Sequence, residues 1–243
     1  MKAQEYLKTN DLFNALNELK KVIPDDKNYT KAKETIAKYE KQYKEELLKH
    51  VEYSINNKDY EKAVELLKEA IVIMQDDNDI NVKLSICEKK LQQQKQEEKK
   101  KKIEELRSKQ IVVVESAKII EQDPRYKALY PDMLQAIIKN NSGKTIKKME
   151  VGFLGYDENG YPMKIKGKYD FWGGDYEFIG LAEDVNIVAG DIFGYDAGWE
   201  LSDPHGLSKI IACVKSTTFY DGTTWHNQFY DLWLEEYKEK PYK

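Results

Sequence analysis

Residues 146–157, IKKMEVGFLGYD, decide the fold of the second half of the chain. In this stretch Met149, Val151 and Phe153 alternate with Lys148 and Glu150. An apolar residue at every second position is typical of a strand with one buried face. The turn residues DENG follow at 157–160 and end the run. The stretch therefore predicts a strand of an antiparallel sheet.

Similar runs lie on both sides of this strand, and turn residues separate them. All 13 glycines fall between Gly143 and Gly222, and no amphipathic helix interrupts the runs. This pattern predicts an antiparallel immunoglobulin-like β-sandwich over residues 110–243. The end of the chain, YDLWLEEYKEKP, predicts a short terminal helix that packs Leu232, Trp233 and Tyr237 on a sheet. The other strand-like runs are IVVVESAKII (111–120), MLQAIIKN (133–140), YEFIGLAEDVNIV (176–188) and IIACVKSTTFYD (210–221).

The first half, residues 1–109, has helical periodicity and an internal repeat. NDLFNALNELKKVI at 10–23 aligns with KDYEKAVELLKEAI at 58–71, so that Asp11 matches Asp59 and Ala15 matches Ala63. A small Ala that permits close helix approach is typical of tetratricopeptide-like helical hairpins. We therefore expect a degenerate helical-hairpin array followed by a long charged helix. The fold class is α+β in two domains.

The charged helix, QQQKQEEKKKKIEELRSKQ at 92–110, has few apolar residues. Its Glu and Lys residues support a solvated helix, so we interpret it as an exposed spacer. A short coiled coil and a basic docking patch are the alternatives.

The stretch SGKT at 142–145 looks like the end of a phosphate-binding loop. Ile138, however, stands where the first glycine of that motif must lie, and a strand-like run follows instead of a helix. We exclude nucleotide binding and predict a hairpin loop at 140–143.

Residues 77–88, DNDINVKLSICE, have the acidic spacing of a calcium loop. Asp77, Asp79 and Glu88 occupy ligand positions, but Val82 stands where the sharp turn requires glycine. We predict instead that Asp77 or Asp79 caps the next helix. No metal site and no cofactor are assigned.

His205 and His226 lie in turn-like segments beside aspartates, an arrangement that acid–base or metal chemistry can use. No nucleophile or third ligand has a matching spacing, so we assign no catalytic residue and keep an enzyme as the third hypothesis. Cys87 and Cys213 match no zinc or redox motif, and we interpret them as inert thiols, with a long-range disulfide as the alternative.

Aromatic residues of the second half form the candidate ligand surface, which comprises Trp172, Tyr176, Trp199, Trp225 and His226. Exposed Trp and Tyr rings can stack on sugars or anchor a protein partner. The alternative is that these rings fill the core of the sandwich.

The segment KNNSGKTI followed by a strand that ends in FLGYD resembles the bacterial immunoglobulin-like domains named for an F-x-L-Y-D motif. Phe153, Tyr156 and Asp157 fit the motif, and Gly155 stands at its Leu. The stretch VAGD at 188–191 is similar to a loop that precedes a late strand in those domains. Residues 111–240 also resemble a domain of unknown function from Gram-positive bacteria. The resemblance implies an exported or membrane-anchored protein and supplies no catalytic residue.

The charge and hydropathy of the chain limit the classes of partner that it can bind. A net charge of −4 gives no basic face for nucleic acid. No apolar run approaches the roughly 20 residues that span a bilayer, and the chain begins in mid-helix pattern, so we expect the native protein to extend upstream.

We therefore expect a non-catalytic, extracytoplasmic protein of the cell envelope, anchored to the membrane only through an upstream segment. Its helical repeats and sandwich would bind protein. A glycan- or calcium-binding module is the alternative function, with cell-wall glycan as its ligand, and the cytoplasm is the alternative location.

Overall fold

The computed structural model describes residues 2–127 and 129–242. They form two compact units that divide between Lys100 and Lys101. Helices build the first unit and antiparallel strands the second, which confirms the predicted α+β class. The boundary predicted after residue 109 stays a prediction; the long charged helix before it ends at Ser108.

The helices that precede the sheets are α1 (Lys2–Lys8), α2 (Leu12–Leu19), α3 (Tyr29–Asn56), α4 (Tyr60–Ile73) and α5 (Asn78–Ser108). The second unit contains β1 (Val112–Ile120), β2 (Met133–Asn140), β3 (Ile146–Tyr156), β4 (Pro162–Met163), β5 (Phe178–Ala182), β6 (Ile192–Phe193), β7 (Trp199–Glu200), β8 (Lys209–Phe219), β9 (Thr224–His226) and α6 (Tyr230–Tyr237).

The sequence repeat corresponds to two helical hairpins with the same turn. Asn10 after α1 and Lys58 after α3 both have positive φ, 57° and 59°. The next residues, Asp11 and Asp59, each accept a hydrogen bond from a backbone N–H three residues on, at 3.1 and 3.0 Å. In each hairpin a left-handed residue thus ends the first helix, and the aspartate that follows it caps the start of the second helix.

The core of the helical unit lies between the two hairpins and the start of α5. Its fully buried side chains include the repeat residue Ala63 and, from α5, Ile80 and Cys87. The only buried side chains of α5 are Ile80 and Cys87, both in its first ten residues. The rest of α5 is therefore largely solvated, as its Glu and Lys content predicts.

The strands of the second unit form two antiparallel sheets that share one core. The first sheet has the order β1-β2-β6, with β7 also paired to β2, and the second has the order β4-β3-β8-β9, with β5 also paired to β3. Buried side chains of both sheets form a single cluster, so the unit is a sandwich as predicted. The cluster includes Val112, Leu134, Ile138, Met149, Val151, Phe153 and Val214.

β3 is buried on both faces, whereas its alternation predicted only one. Met149, Val151 and Phe153 face the sandwich core. Leu154 and Tyr156 face the other way and are also buried, with 2% and 0% of their surface exposed. The reason is that α6 lies on the outer face of the second sheet, opposite the first sheet.

The buried side chains of α6 are Tyr230 and Trp233, and Tyr237 packs beside them; Leu232 is not part of this cluster, contrary to the prediction. The Tyr230 ring lies against the backbone of Gly152 in β3. A Cβ atom at Gly152 would lie 1.9 Å from the Tyr230 hydroxyl oxygen. Glycine at this position therefore lets the helix approach the sheet.

The turn after β2 is a crossover and not the predicted hairpin loop, because β2 and β3 belong to different sheets. Asn140 organises it. Its Nδ2 donates to the carbonyl oxygens of Lys144 and Ile187, at 2.8 and 3.0 Å, and its Oδ1 accepts from the Ser142 backbone N–H at 3.0 Å. One buried amide thus satisfies the polar backbone where the chain changes sheets.

We expect Lys58→Gly to raise the free energy of unfolding by about 0.5–1 kcal/mol, because a left-handed residue other than glycine costs roughly 1–2 kcal/mol. Urea unfolding monitored by circular dichroism measures the change. Asn57, which precedes Lys58 and has a φ of −84°, is the matched control. An equal gain from Asn57→Gly would contradict the explanation.

We expect Gly152→Ala to destabilise the sandwich by about 1–3 kcal/mol, because the new methyl group overlaps Tyr230. In a Tyr230→Ala background the same change should cost less than about 1 kcal/mol. Gly143, where an added Cβ atom would meet nothing within 4 Å, is the control site for glycine replacement. Equal costs with and without Tyr230 would refute the steric cause.

Candidate functional site

A loop between β4 and β5, here called the aromatic loop (Ile165–Asp175), leaves the sandwich and returns to it at one point. Ile165 and Asp175 exchange two backbone hydrogen bonds, at 2.8 and 3.2 Å. Gly174, with φ +77°, has the conformation that lets the chain pass within this distance, since a Cβ there would lie 2.4 Å from the Ile165 carbonyl oxygen. The base of the loop is therefore fixed.

The ascending arm of the loop is bonded to the first sheet. The Lys168 N–H donates to the Glu200 carbonyl oxygen at 3.0 Å, and the Ser202 N–H donates to the Lys166 carbonyl oxygen at 2.9 Å. The ammonium group of Lys168 also pairs with the Glu200 carboxylate at 2.8 Å. The loop is thereby held at its base by its own backbone and along its arm by Glu200 and Ser202.

Three aromatic side chains at the end of the loop, here called the aromatic tip, project into solvent. Tyr169, Phe171 and Trp172 are 76%, 85% and 97% exposed. The Asp170 carboxylate accepts a hydrogen bond from the Trp172 N–H at 2.7 Å, which fixes the turn that presents them. Large apolar surfaces exposed on a loop are typical of contact sites, so the tip is the candidate site.

Lysines alternate along the segment that leads from β4 to the tip, at positions 164, 166 and 168. The Lys164 ammonium lies 5.7 Å from the centre of the Tyr176 ring, and the Lys168 ammonium lies 5.6 Å from the centre of the Tyr169 ring. The tip therefore combines an apolar end with a cationic base.

The predicted ligand residues occupy separate places. Trp172 is at the tip and Tyr176, half-buried, follows its base. Trp199 packs between the sheets, with its ring 5.1 Å from that of Phe153 and its indole N–H donating to the Leu181 carbonyl oxygen at 2.9 Å. Trp199 thus closes the open edge of β5 and is engaged in packing.

Trp225 and His226 lie on β9, at the edge of the second sheet opposite β4 and β5. The Trp225 ring is partly buried against the sandwich core, while His226 is exposed. The five residues therefore do not form one surface: Trp172 lies on the aromatic loop and Tyr176 just after it, while Trp199 packs between the sheets and the other two lie on β9.

His205 belongs to a buried polar cluster around Asp132. Its Nε2 lies 3.0 Å from the Asp132 carboxylate, and its Nδ1 accepts the Leu207 N–H at 3.0 Å. Because Nδ1 is an acceptor, Nε2 carries the proton and donates it to Asp132. Both ring nitrogens are thus engaged in the fold.

Asp132 receives further hydrogen bonds from the Gln122 N–H at 2.7 Å and the Lys127 ammonium at 2.6 Å. Burial alone would raise the pKa of this carboxyl, but these bonds outweigh it and lower the pKa from its ordinary value. The cluster joins the β1–β2 loop to the segment before β8. Its charged groups therefore have a structural role.

The remaining sequence motifs have structural roles. The Asp77 carboxylate accepts the Ile80 N–H at 3.2 Å and so caps α5, and Val82 lies inside that helix. Cys87 and Cys213 are free and buried, and burial raises the pKa of the Cys213 thiol to about 12.

Metal clusters and membrane-spanning helices are both missing from the described residues. Among residues 2–127 and 129–242, no group of three or more His, Cys, Asp and Glu residues is arranged to hold a metal. No helix in the described part of the chain has the length and apolar character needed to cross a membrane.

The helical unit has a separate groove of about 800 Å³ between α3 and the end of α4. Lys44 in this groove pairs with Asp77 at 2.7 Å and with Asp79 at 2.9 Å. Lys20, at the end of α2, pairs with Glu40 at 2.8 Å. Several of the charges that line the groove are therefore paired with each other.

Two residues of the tip, Tyr169 and Phe171, were missing from the predicted ligand surface. Their signal is local: four residues, YDFW, stand between a lysine and a pair of glycines. An aromatic cluster beside residues that adopt positive φ indicates a turn, and a turn exposes its side chains.

Comparison with known proteins gives a similarity for part of the chain. Residues 133–240 match a family of unknown function, DUF5780. This match agrees with the predicted domain of unknown function, while the resemblance to the F-x-L-Y-D domains stays a prediction. No curated protein matches the chain. A crystal structure of a hypothetical protein from Peptoclostridium difficile 630 is 19% identical, with a TM-score of 0.45, over 55% of this chain and 94% of its own.

We expect Trp172→Ala to change the free energy of unfolding by less than about 0.5 kcal/mol, because the ring packs against almost nothing. Trp199→Ala should cost about 3 kcal/mol or more, since it removes a packed ring and a hydrogen bond. Urea unfolding of both variants tests the contrast. Equal losses would show that the tip is part of the core.

Proposed function

We propose that this chain is a non-catalytic interaction protein of the cell envelope, with the aromatic tip as the contact element of its sandwich unit. One observation carries the proposal: the 97% exposure of Trp172 on a loop whose base is closed by two backbone hydrogen bonds and whose arm is bonded to the first sheet. Rigid presentation of large aromatic rings is the usual basis of recognition, because little conformational entropy is lost on binding.

The helical hairpins supply a second surface, and we assign protein binding to it. Helical-hairpin arrays bind along the grooves between their helices, and the groove beside Lys44 and Asp77 has room for a peptide segment. The resemblance to F-x-L-Y-D domains supports the extracytoplasmic location, with an anchor upstream of the chain.

Several features favour a binding role over catalysis. His205 uses both ring nitrogens in the fold, and His226 lies on β9 without a described hydrogen bond or ion pair to His205. The buried thiol of Cys213 has a raised pKa and is a poor nucleophile. Turnover that is abolished by replacing both histidines would contradict a non-catalytic role.

The case for a glycan-binding function is weaker than that for protein binding, because the tryptophans do not cluster. Trp199 and Trp225 pack on the sandwich core, which leaves one indole at the tip.

Photo-cross-linking in cells of the encoding organism tests the proposed contact element. We expect p-benzoylphenylalanine at position 172 to give adducts, because the tip touches its partner. The same group at position 220, where Tyr220 is 53% exposed on the sandwich, should give none. No adduct at 172, or equal labelling at both sites, would overturn the proposal, and the chemical nature of the adduct identifies the partner class.

A further inference from the structure

We infer that the aromatic tip inserts into the headgroup region of a phospholipid bilayer, a membrane contact beyond the anchor expected upstream. The inference rests on the proposed function, since it names the partner of the same contact element.

The first argument is the size of the apolar surface. Aromatic side chains bury about 150–250 Å² each, so three rings supply roughly 500 Å². A specific protein interface needs about 800 Å² from each partner, with a polar rim around an apolar core. The tip alone is too small for a stable protein interface, whereas shallow membrane anchoring needs only a few inserted rings.

The second argument is shape. Tyr169, Phe171 and Trp172 lie within four residues at the end of a narrow loop, and all three are more than three-quarters exposed. A projecting tip requires a matching cavity in a protein partner. A fluid bilayer accommodates it without one, because lipids rearrange around it.

The third argument is the chemistry of the rings and their neighbours. Trp and Tyr favour the interface between headgroups and acyl chains, where the ring is in apolar surroundings and its polar atom is hydrated. Lys164 and Lys166 stand behind the rings, where their ammonium groups can bind lipid phosphates while their apolar stems lie along the membrane interface. Lys168 already pairs with Glu200 at 2.8 Å.

The charge of the rest of the sandwich limits this attraction. Residues 111–243 carry 15 Lys and Arg against 21 Asp and Glu, a net charge of −6. The acids within the loop, Asp170 and Asp175, accept backbone N–H bonds at 2.7 and 2.6 Å. Charges act mainly within about 10 Å at ordinary ionic strength. Within that range Glu200 pairs with Lys168 and the two loop aspartates offset the other lysines, so the lysines add a local and modest attraction and the rings supply most of the binding.

Vesicle binding by the whole chain is the test. The probes are vesicles of phosphatidylcholine alone and of phosphatidylcholine with phosphatidylglycerol at about 7:3. We expect co-sedimentation with the mixed vesicles, weaker binding to the neutral ones, and a blue shift of tryptophan emission. Brominated lipids should quench the emission from Trp172.

Variants show whether the tip is responsible. Phe171→Ala, which keeps the reporter Trp172, and Trp172→Ala should each weaken binding at least tenfold. Tyr220→Ala, a matched exposed aromatic outside the loop, should bind as the unchanged chain does. Lys166→Gln should weaken binding to the mixed vesicles about fivefold, since a lysine near an anionic surface contributes about 1 kcal/mol.

No binding to the mixed vesicles, or binding that survives both tip substitutions, would overturn the inference. Protein adducts at position 172 together with absent vesicle binding would leave the proposed contact element in place and identify a protein as its partner. If neither adducts nor vesicle binding were found, the proposal that the tip is a contact element would be refuted as well.

Discussion

The second unit depends on the burial of β3 on both faces. Val151 and Phe153 contact the sandwich core, while Leu154 and Tyr156 contact α6. A strand in this position satisfies its backbone only by pairing on both sides, and β3 pairs with β8 along one edge and with β4 and β5 along the other. Any shift of its register by one residue would exchange the two faces, so the glycine that admits Tyr230 fixes the register as firmly as the apolar side chains do.

Local sequence patterns identify the helices and strands. Contacts between residues far apart in the chain decide which of their faces are buried. The alternation around Phe153 located β3, and the matching aspartates located both helical hairpins. Neither pattern contains α6, which covers β3 with residues about 80 positions later in the chain. Asn140 shows the same limit, because an asparagine in a turn is equally typical of a hairpin loop and of a crossover whose backbone its amide must satisfy.

The sequence predicted that the candidate site is aromatic, but it did not predict which aromatic residues are exposed. Trp172 and Trp199 both stand near glycines in polar surroundings, so the sequence describes them alike. Trp199 is packed because Phe153 and the open edge of β5 lie opposite it, and those neighbours come from other strands. Trp172 is exposed because its loop turns back at Gly174 before any other element reaches it. Exposure is a property of the assembled sandwich, and the tip could be recognised only after the strands were placed.

The position of the tip is fixed by β3, the strand that is buried on both faces. The chain enters the aromatic loop from β4 and leaves it into β5, and both strands pair with β3. Backbone bonds to Glu200 and Ser202 tie the ascending arm to the other sheet. Three exposed rings would gain little from contact with a partner if the loop first had to be ordered, since fixing each residue costs about 1–2 kcal/mol. The sandwich has met most of that cost during folding, so the apolar surface of the tip remains available for binding.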